Sequence, residues 1–515
     1  MRSAYDVATV RAAEEALMAR VGDGELMQRA ATGLARTCAG LLAAGGGVTG
    51  SRVALLVGSG NNGGDALWAG SFLARRGAAV TAVLLSDRVH PEGLGALRAA
   101  GGRALAPGDG AGPEVVRSAD LVLDGVVGIG GTGALRPAAA ELAAAALAGG
   151  ALRVAVDVPS GVSADTGAVD DPDAVFVADA TVTFGCLKPG LLLTPGRAYV
   201  GVLELIDIGL RPWLPADATA RVLDVADVAA LLPQPGPADH KYTRGVVGVL
   251  AGSARYRGAA FLATGAARHG DAGMVRYLDR GDGIAAAVVD AFPDVVAQTE
   301  PPTADPRVTA WGCGPGMGES DGDRDALVAA LGTAGPVVVD ADGLRLLAVA
   351  DGPVRAAVDA RAADGRVTVL TPHDGEFARL GFSAGSGADE DRLAAARRAA
   401  DELGCVVLLK GSGTVVAAPG GPAYVDPLGP PALATAGSGD VLTGLMAALL
   451  SGAQARGVLA ADPAGPVTAA ARVAAAAAYV HGWAAAQAAD GGRPVTAVDV
   501  REALPGAIAA IRTGG

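Results

Sequence analysis

Five glycine-rich segments set carboxylates, amides or a lysine where a chain can present them to a ligand. Gly58-Ser59-Gly60-Asn61-Asn62-Gly63-Gly64-Asp65 follows an apolar run and precedes a helical one. Glycines let the turn tighten and bring backbone amides close to a ligand, and a helix N-terminus favours an anion. The segment contains G-x-G-x-x-G, and Asp87 closes the next strand near the spacing of a ribose-binding acid, so spacing alone leaves a dinucleotide site open. Two amides and a carboxylate fit an oxygen-rich site for a cation and a polar ligand better than a bare pyrophosphate cradle. Asp124 ends a strand and opens Gly125 to Ala134, and Asp157 ends another in Asp157-Val158-Pro159-Ser160-Gly161. One strand-terminal Asp is usually a turn former. Three on one sheet edge, beyond the carboxyl ends of the strands, make a constellation.

In the second half, Thr435-Ala436-Gly437-Ser438-Gly439-Asp440 leads into the apolar run VLTGLMAALL. Free amides at a helix start suit a developing phosphate charge, and the adjoining carboxylate can deprotonate an attacking hydroxyl. Upstream, Lys410-Gly411-Ser412-Gly413-Thr414 ends a strand and can seat a nucleotide phosphate. It is not a Walker A segment, because no G-x-x-x-x-G-K precedes it. Asp340 and Asp342 in VVVDADGL fit either a nucleotide or magnesium contact or a turn.

The elements that must hold these segments alternate between strand and helix. Apolar runs at 52–57, 79–85, 120–124, 152–157 and 180–184, with helical stretches at 64–76 and 137–148, predict a mostly parallel sheet covered on both faces. A helical segment at 6–44 precedes them. A proline-rich stretch between about 207 and 240 breaks the pattern and holds one short helix. Alternation resumes with runs at 246–251, 274–278, 308–312, 336–340, 367–371 and 405–410. Helices are expected near 258–269, 323–332, 353–363, 389–403, 439–451 and 466–489. The expected fold class is α/β with two three-layer αβα domains: 1–215, a linker at 216–238, and 239–515.

The chain has 515 residues, 51% hydrophobic and 18% charged, which excludes a disordered polyelectrolyte. Its apolar character is largely alanine, and no run of about 18 strongly apolar residues spans a membrane. The N-terminus carries acids where a secretion signal needs an apolar core, so a cytoplasmic location is expected. The net charge of -13 argues against nucleic acid or anionic lipid as partner. Cys38, Cys186, Cys313 and Cys405 lack C-x-x-C spacing, and the five histidines lack metal spacing. Only three of the 41 basic residues are lysine: Lys188, Lys241 and Lys410. Such scarcity points to places where a compact ammonium works and a planar guanidinium does not.

GSGNNGGDA, LDGVVGIGGTGALRP, DVPSGVSADTG and VTFGCLKPGL resemble the NAD(P)H-hydrate epimerase family, the YjeF N-terminal domain, over about 6–210. The resemblance implies a Rossmann-like domain. Asn61, Asn62, Gly63, Gly64 and Asp65, with Gly128, Ile129, Gly130, Gly131, Thr132, Gly133 and Ala134, would line the hydrate site. Asn62, Asp124 and Ser160 would hold a potassium ion, for which hard oxygen donors are suited. Asp157 is the candidate acid/base for interconverting the C6 epimers, with a plain hydrogen-bond acceptor as the alternative. Ala66 stands where the family usually has glycine. Lys188 reads as a structural residue.

Gly-Ser-Gly-Asp resembles the anion hole and catalytic aspartate of ribokinase-like kinases. HKYTRG, AGSARYRGAAFLA, GCGPGMG, TPHDGEFARL, KGSGT and AGSGDVLTGL resemble, more narrowly, the NAD(P)H-hydrate dehydratase family over about 238–513. That resemblance implies a ribokinase-like domain in which ADP drives removal of water from a hydrated nicotinamide. Asp440 would be catalytic. Lys410, Gly411, Ser412, Gly413, Thr414 and Gly439 would contact the AMP portion. Ala259, Gly316, His373 and Asp440 would contact the hydrate. Magnesium is expected as phosphate counterion, although no dedicated cage is visible. The implied chain epimerises NADHX and NADPHX and dehydrates the S form, and a symmetric homo-oligomer is expected.

Three alternatives carry different chemistry. A ribokinase-superfamily kinase acting on a vitamin-type hydroxymethyl substrate would release a stable phosphoester. A non-catalytic first half would tolerate loss of Asp157. A nicotinamide-dependent oxidoreductase would need a hydride-site His, Lys or Tyr, and none is evident.

Overall fold

The computed structural model describes residues 1–384 and 391–514, which form two compact units taken separately here: Arg2–Thr219 and Ala220 onward. In the first unit, β1 (Arg2–Ala4), α1 (Val7–Val21) and α2 (Asp23–Ala44) precede the alternating part. Then come β2 (Arg52–Val57), α3 (Asn61–Arg75), β3 (Ala79–Leu84), α4 (Pro91–Ala99), β4 (Arg103–Leu105), α5 (Gly112–Arg117) and β5 (Leu121–Gly125). The unit finishes with α6 (Pro137–Ala148), β6 (Leu152–Val156), β7 (Ala180–Phe184) and β8 (Val202–Ile206).

These strands pair in parallel in the order β4-β3-β2-β5-β6-β7-β8. Because both faces are covered, the strands are near-continuous apolar runs, and every residue of β5 and β7 is buried. The order reverses between β2 and β5, so the turns after them open a crevice at the carboxyl edge. Three of the glycine-rich segments stand on this crevice and on the adjoining end of β6.

The second unit opens with β9 (Ala220–Val222) and α7 (Val225–Leu231), inside the stretch read as linker, and Val228 and Leu232 join its core. It continues through β10 (Val246–Leu250), α8 (Arg257–His269), β11 (Met274–Leu278), α9 (Ile284–Ala291), β12 (Val295–Gln298) and β13 (Ala310–Cys313). Next are α10 (Asp321–Leu331), β14 (Val337–Val339), α11 (Asp342–Leu347), α12 (Pro353–Ala363), β15 (Thr368–Leu370) and α13 (Asp374–Arg379). The last part holds α14 (Arg392–Leu403), β16 (Val406–Leu409), β17 (Thr414–Ala417), β18 (Ala423–Asp426), α15 (Ser438–Ala455), α16 (Val458–Ala461), α17 (Pro466–Ala488) and α18 (Ala497–Thr513). Positions 389 and 390 of the expected 389–403 helix lie outside the described residues.

Its sheet runs β9-β18-β17-β16-β15-β14-β13-β10-β11-β12. The strands from β10 to β16 are parallel, whereas β16, β17 and β18 are joined antiparallel. The sequence reading did not separate β17 and β18, because TVVA and AYVD are short runs either side of the turn Pro419-Gly420-Gly421-Pro422. Two consequences matter for the site. Lys410 to Gly413 form the turn of a hairpin rather than the end of a lone strand. And α15 crosses α8 at backbone distance, since a Cβ on Gly444 would lie 2.0 Å from the Ala263 carbonyl oxygen.

Arg361 is wholly buried and pairs with no carboxylate among the described residues. Its guanidinium donates to the carbonyls of Leu331, Thr333, Gly335 and Val367 and to Thr368 Oγ1. It therefore satisfies backbone acceptors at the end of α10 and at the starts of β14 and β15. Arg361→Leu leaves several buried carbonyls unmade and is expected to lower stability by about 3 kcal/mol. The check is the denaturant midpoint of the second unit, which an unimportant arginine would leave in place. No helix among the described residues is long and apolar enough to cross a membrane.

Candidate active sites

In the first unit the Asn-rich segment is the first turn of α3, capped by Gly60, and the expected start at 64 is three residues late. Helix can begin there because Gly63 allows a close approach: a Cβ on it would meet the Gly58 carbonyl oxygen at 2.3 Å. Asn61, Asn62, Asp65, Gly128, Ile129, Gly130 and Asp157 line one cleft of about 900 Å³. Gly63 and Gly64 are buried and Gly131 is partly buried, and none of the three lines it. Thr132, Gly133 and Ala134 are exposed and do not line it.

Asp157 has the unusual φ of 66°, a left-handed conformation that a non-glycine residue adopts only when its surroundings enforce it. Here they do. Lys188 Nζ stands 2.5 Å from its Oδ1, Thr183 Oγ1 donates to the same oxygen at 2.9 Å, and the Phe184 amide donates at 3.2 Å. All three use Oδ1, which leaves Oδ2 for the cleft. Lys188 is 1% exposed and also donates to the Phe184 carbonyl. The residue read as structural is thus seated on the candidate acid/base.

Two further carboxyls face Asp157. Burial, with the charges of Asp157 and Glu14, pushes the Asp65 carboxyl well above its usual range. Burial and then Asp157 raise Glu14, against Lys188 and Arg11. Sequence reasoning missed Glu14 and Arg11, both from α1 and both on the cleft. The signal existed: Glu14 adjoins the Val10, Ala13 and Leu17 face that α1 buries.

Asp124 is fully buried and accepts from Ser160 N at 2.8 Å, Ser160 Oγ at 2.7 Å and Val126 N at 3.2 Å. Burial nevertheless pushes it up to about 6. Asn62 is buried, with its Nδ2 unpartnered, and its Oδ1 lies against Gly128. Asp124 and Ser160 are therefore joined at the ends of β5 and β6, while Asn62 lines the cleft.

In the second unit, Asp440 lies in the first turn of α15, and Gly437 caps that helix in the left-handed region at φ 88°. Burial, then the charge of Asp340, pushes Asp440 up to about 7, while Lys410 holds it back. Lys410 Nζ lies 2.7 Å from Asp340 Oδ1 and 3.6 Å from Glu376 Oε2. Burial pulls the ammonium down, but Asp340, Glu376 and Asp440 outweigh it and the net shift is up. Thr443 Oγ1 donates to Asp340 Oδ2 at 2.8 Å. Asp340 therefore does more than form a turn: it couples Lys410 to α15. A Cβ on Gly439 would stand 3.3 Å from Lys410 Nζ, so a side chain there would press on this pair.

A second cleft, of about 380 Å³, is lined by His373, Lys410, Gly411, Ser412, Thr414 and Gly439 among others, while Gly413 is buried behind it. Ala259 and Gly316 touch each other elsewhere, with the Gly316 Cβ position 2.9 Å from Ala259 Cβ. Asp440, one residue past Gly439, stands outside the lining of the cleft. His373 is exposed and caps α13, accepting from Gly375 N while its own amide donates to Glu376 Oε2. Glu376, Asp426 and His481 were not singled out from sequence. Lys241 is exposed, over the Tyr242 ring.

Comparison with known proteins follows the same division. The YjeF-related protein N-terminus family matches residues 23–190, and the NAD(P)H-hydrate dehydratase family matches residues 247–505. The bifunctional NAD(P)H-hydrate repair enzyme Nnr of Mycobacterium tuberculosis is 51% identical over 453 residues, covering 88% of this chain and 89% of its own. That of Escherichia coli is 34% identical, covering 77% and 75%. Among solved structures, the ADP/ATP-dependent NAD(P)H-hydrate dehydratase of Bacillus subtilis, co-crystallised with ATP/Mg2+, is 25% identical with a TM-score of 0.45, covering 57% of this chain and 99% of that one. The two family matches and the identity across nearly the whole chain make this protein a member of the bifunctional NAD(P)H-hydrate repair enzymes.

Proposed function

We propose that the first unit interconverts the R and S forms of NADHX and NADPHX, and that the second dehydrates the S form with ADP, releasing AMP and phosphate. One observation carries the second half: Asp440 sits beside the Gly437 to Gly439 turn at the start of α15, within the field of the Lys410–Asp340 pair, with its carboxyl pushed up to about 7. A base of that strength takes a hydroxyl proton as the oxygen attacks a phosphoryl group. In the proposed sequence the C6 oxygen bonds to the terminal phosphorus of ADP, AMP departs, and Asp440 holds the proton. The ring nitrogen's lone pair then expels phosphate, and loss of a C5 proton restores the dihydropyridine. The Gly437 to Gly439 amides and Lys410 face the transferring charge.

In the first unit, a proton from Asp65 or Glu14 would let the C6 hydroxyl leave as water. Asp157 would then take the proton of a water adding to the opposite face. The convergence of three carboxyls on one cleft, with Asp157 seated on Lys188, supports this. Asn62, Asp124 and Ser160 would hold potassium, which when bound supplies positive charge beneath the hydrate site. Their hard oxygens and the raised Asp124 carboxyl fit such an ion. Carboxylates outnumber cations around Lys410, with Asp340, Asp342, Glu376 and Asp440 all contributing to the field there, which suits a nucleotide carrying magnesium on its phosphates. Assignment of 1–215 to epimerisation and 239–515 to dehydration, a cytoplasmic location and a homo-oligomer that avoids nucleic acid complete the proposal; the charge of -13 supports the last point.

The test is incubation of the protein with (S)-NADPHX and ADP, following NADPH absorbance and AMP together. Equal recovery of both is expected; a stable phosphoester would move the kinase alternative to the front. The pH profile is a second check. A base with pKa about 7 is active when ionised, so dehydration kcat/KM should rise through about pH 7 and flatten above it. A profile flat from pH 5 to 8 would remove Asp440 from that role.

A further inference from the structure

The floor of the second cleft carries two groups that the proposed phosphoryl transfer does not use. His481, from α17, is 5% exposed and lines the cleft. Its ring approaches the Ser438 backbone, which favours a proton on the ring, and Nε2 is buried with no partner. Burial pushes this imidazole down to about 4, which keeps it neutral near pH 7. A neutral ring that keeps its proton toward the Ser438 backbone presents a lone pair at Nε2. Asp426, the last residue of β18, is 7% exposed and lines the same floor, its Oδ1 already taking the Leu428 amide. Burial pushes it up to about 6, so at neutral pH it too is mainly an acceptor.

With both groups lining one cleft, a phosphate dianion is disfavoured there, because the Asp426 carboxylate would repel it. The surrounding wall is apolar, built from Leu433, Leu442 and Ala478. An apolar slot ending in acceptors is matched by a flat, weakly polar body bearing N–H or O–H groups. We infer that His481 and Asp426 read the nucleoside of the phosphoryl donor, accepting hydrogen bonds from an exocyclic amine or a ribose hydroxyl. The inference rests on the nucleotide reading of this cleft.

The experiment is calorimetric titration of the full chain with ADP, IDP, 2′-deoxy-ADP and 3′-deoxy-ADP, for wild type, His481→Phe and Asp426→Asn. Wild type should bind IDP about tenfold more weakly than ADP if the amine is read, or a deoxy analogue about tenfold more weakly if a hydroxyl is. His481→Phe should weaken ADP by about the same factor and erase that preference. Asp426→Asn preserves shape while adding an N–H, so it should narrow the preference should the phenylalanine variant fail to fold. Equal binding of all four nucleotides to wild type overturns the inference. So does a variant that weakens all four equally and keeps the preference. Selective binding without NADPHX turnover would sink the repair reading and leave this one standing; turnover without selectivity would do the reverse. No nucleotide binding at all sinks both.

Discussion

Asp440→Asn should lower ADP-dependent dehydration by on the order of a thousandfold while ADP still binds. The amide keeps the shape of the carboxyl at the start of α15 and cannot take a proton. Because the Gly437 turn, Lys410 and Asp340 stay in place, the loss should fall on kcat rather than on KM for ADP. Single-turnover kinetics beside a binding titration would separate the two. A variant within tenfold of wild type would show that the hydroxyl loses its proton elsewhere, with Asp342 and Glu376 as the rivals in the same field. The epimerase half supplies an internal control, since its rate should not change.

The second large effect belongs to Lys188. Lys188→Arg keeps the charge, yet the site is cut for an ammonium: Nζ meets Asp157 Oδ1, Thr183 Oγ1 and the Phe184 carbonyl at once, in a fully buried position. A planar guanidinium cannot point three donors at one such corner, so Asp157 would be displaced from its left-handed backbone seat. R-to-S conversion should fall on the order of a hundredfold, whereas dehydration of pure S substrate should be unaffected. The measurement is repair of the R epimer against repair of the S epimer, with circular dichroism to confirm folding. Asp157→Asn should give the same split; an R-to-S ratio of repair unchanged from wild type would support a first half that only binds.

Most of this architecture was legible because it depends on short-range patterns. Apolar runs buried on both faces announce parallel strands, and glycines before an acid announce a turn that must approach a ligand. The residues that escaped are those whose neighbours come from far along the chain. Lys188 lies 31 residues from Asp157, and nothing in CLKPG says that its side chain turns inward. Glu14 stands on a helix before the alternating part, outside the family match that begins at 23. Asp426 and His481 sit on a hairpin strand and a long alanine-rich helix, which meet only once β16, β17 and β18 have folded back antiparallel. The lysine scarcity was the most informative compositional clue: of the three lysines, Lys188 and Lys410 each hold a strand-terminal aspartate, and Lys241 alone is on the surface.

The crossing of α8 and α15 has a consequence for the energetics of turnover. Gly444 brings the two backbones into contact two turns or less from Asp440, so α15 cannot slide or roll as a lever without breaking its own core. Its amides are aimed before any nucleotide arrives. The entropy lost in ordering that anion turn is therefore charged to the one event of folding and not to each catalytic cycle. Movement that admits and releases ligands is therefore expected in the cleft-lining segment ahead of the helix, around Gly429 to Ala434, and the slow step of the cycle should respond to substitutions there before it responds to any in α15 itself.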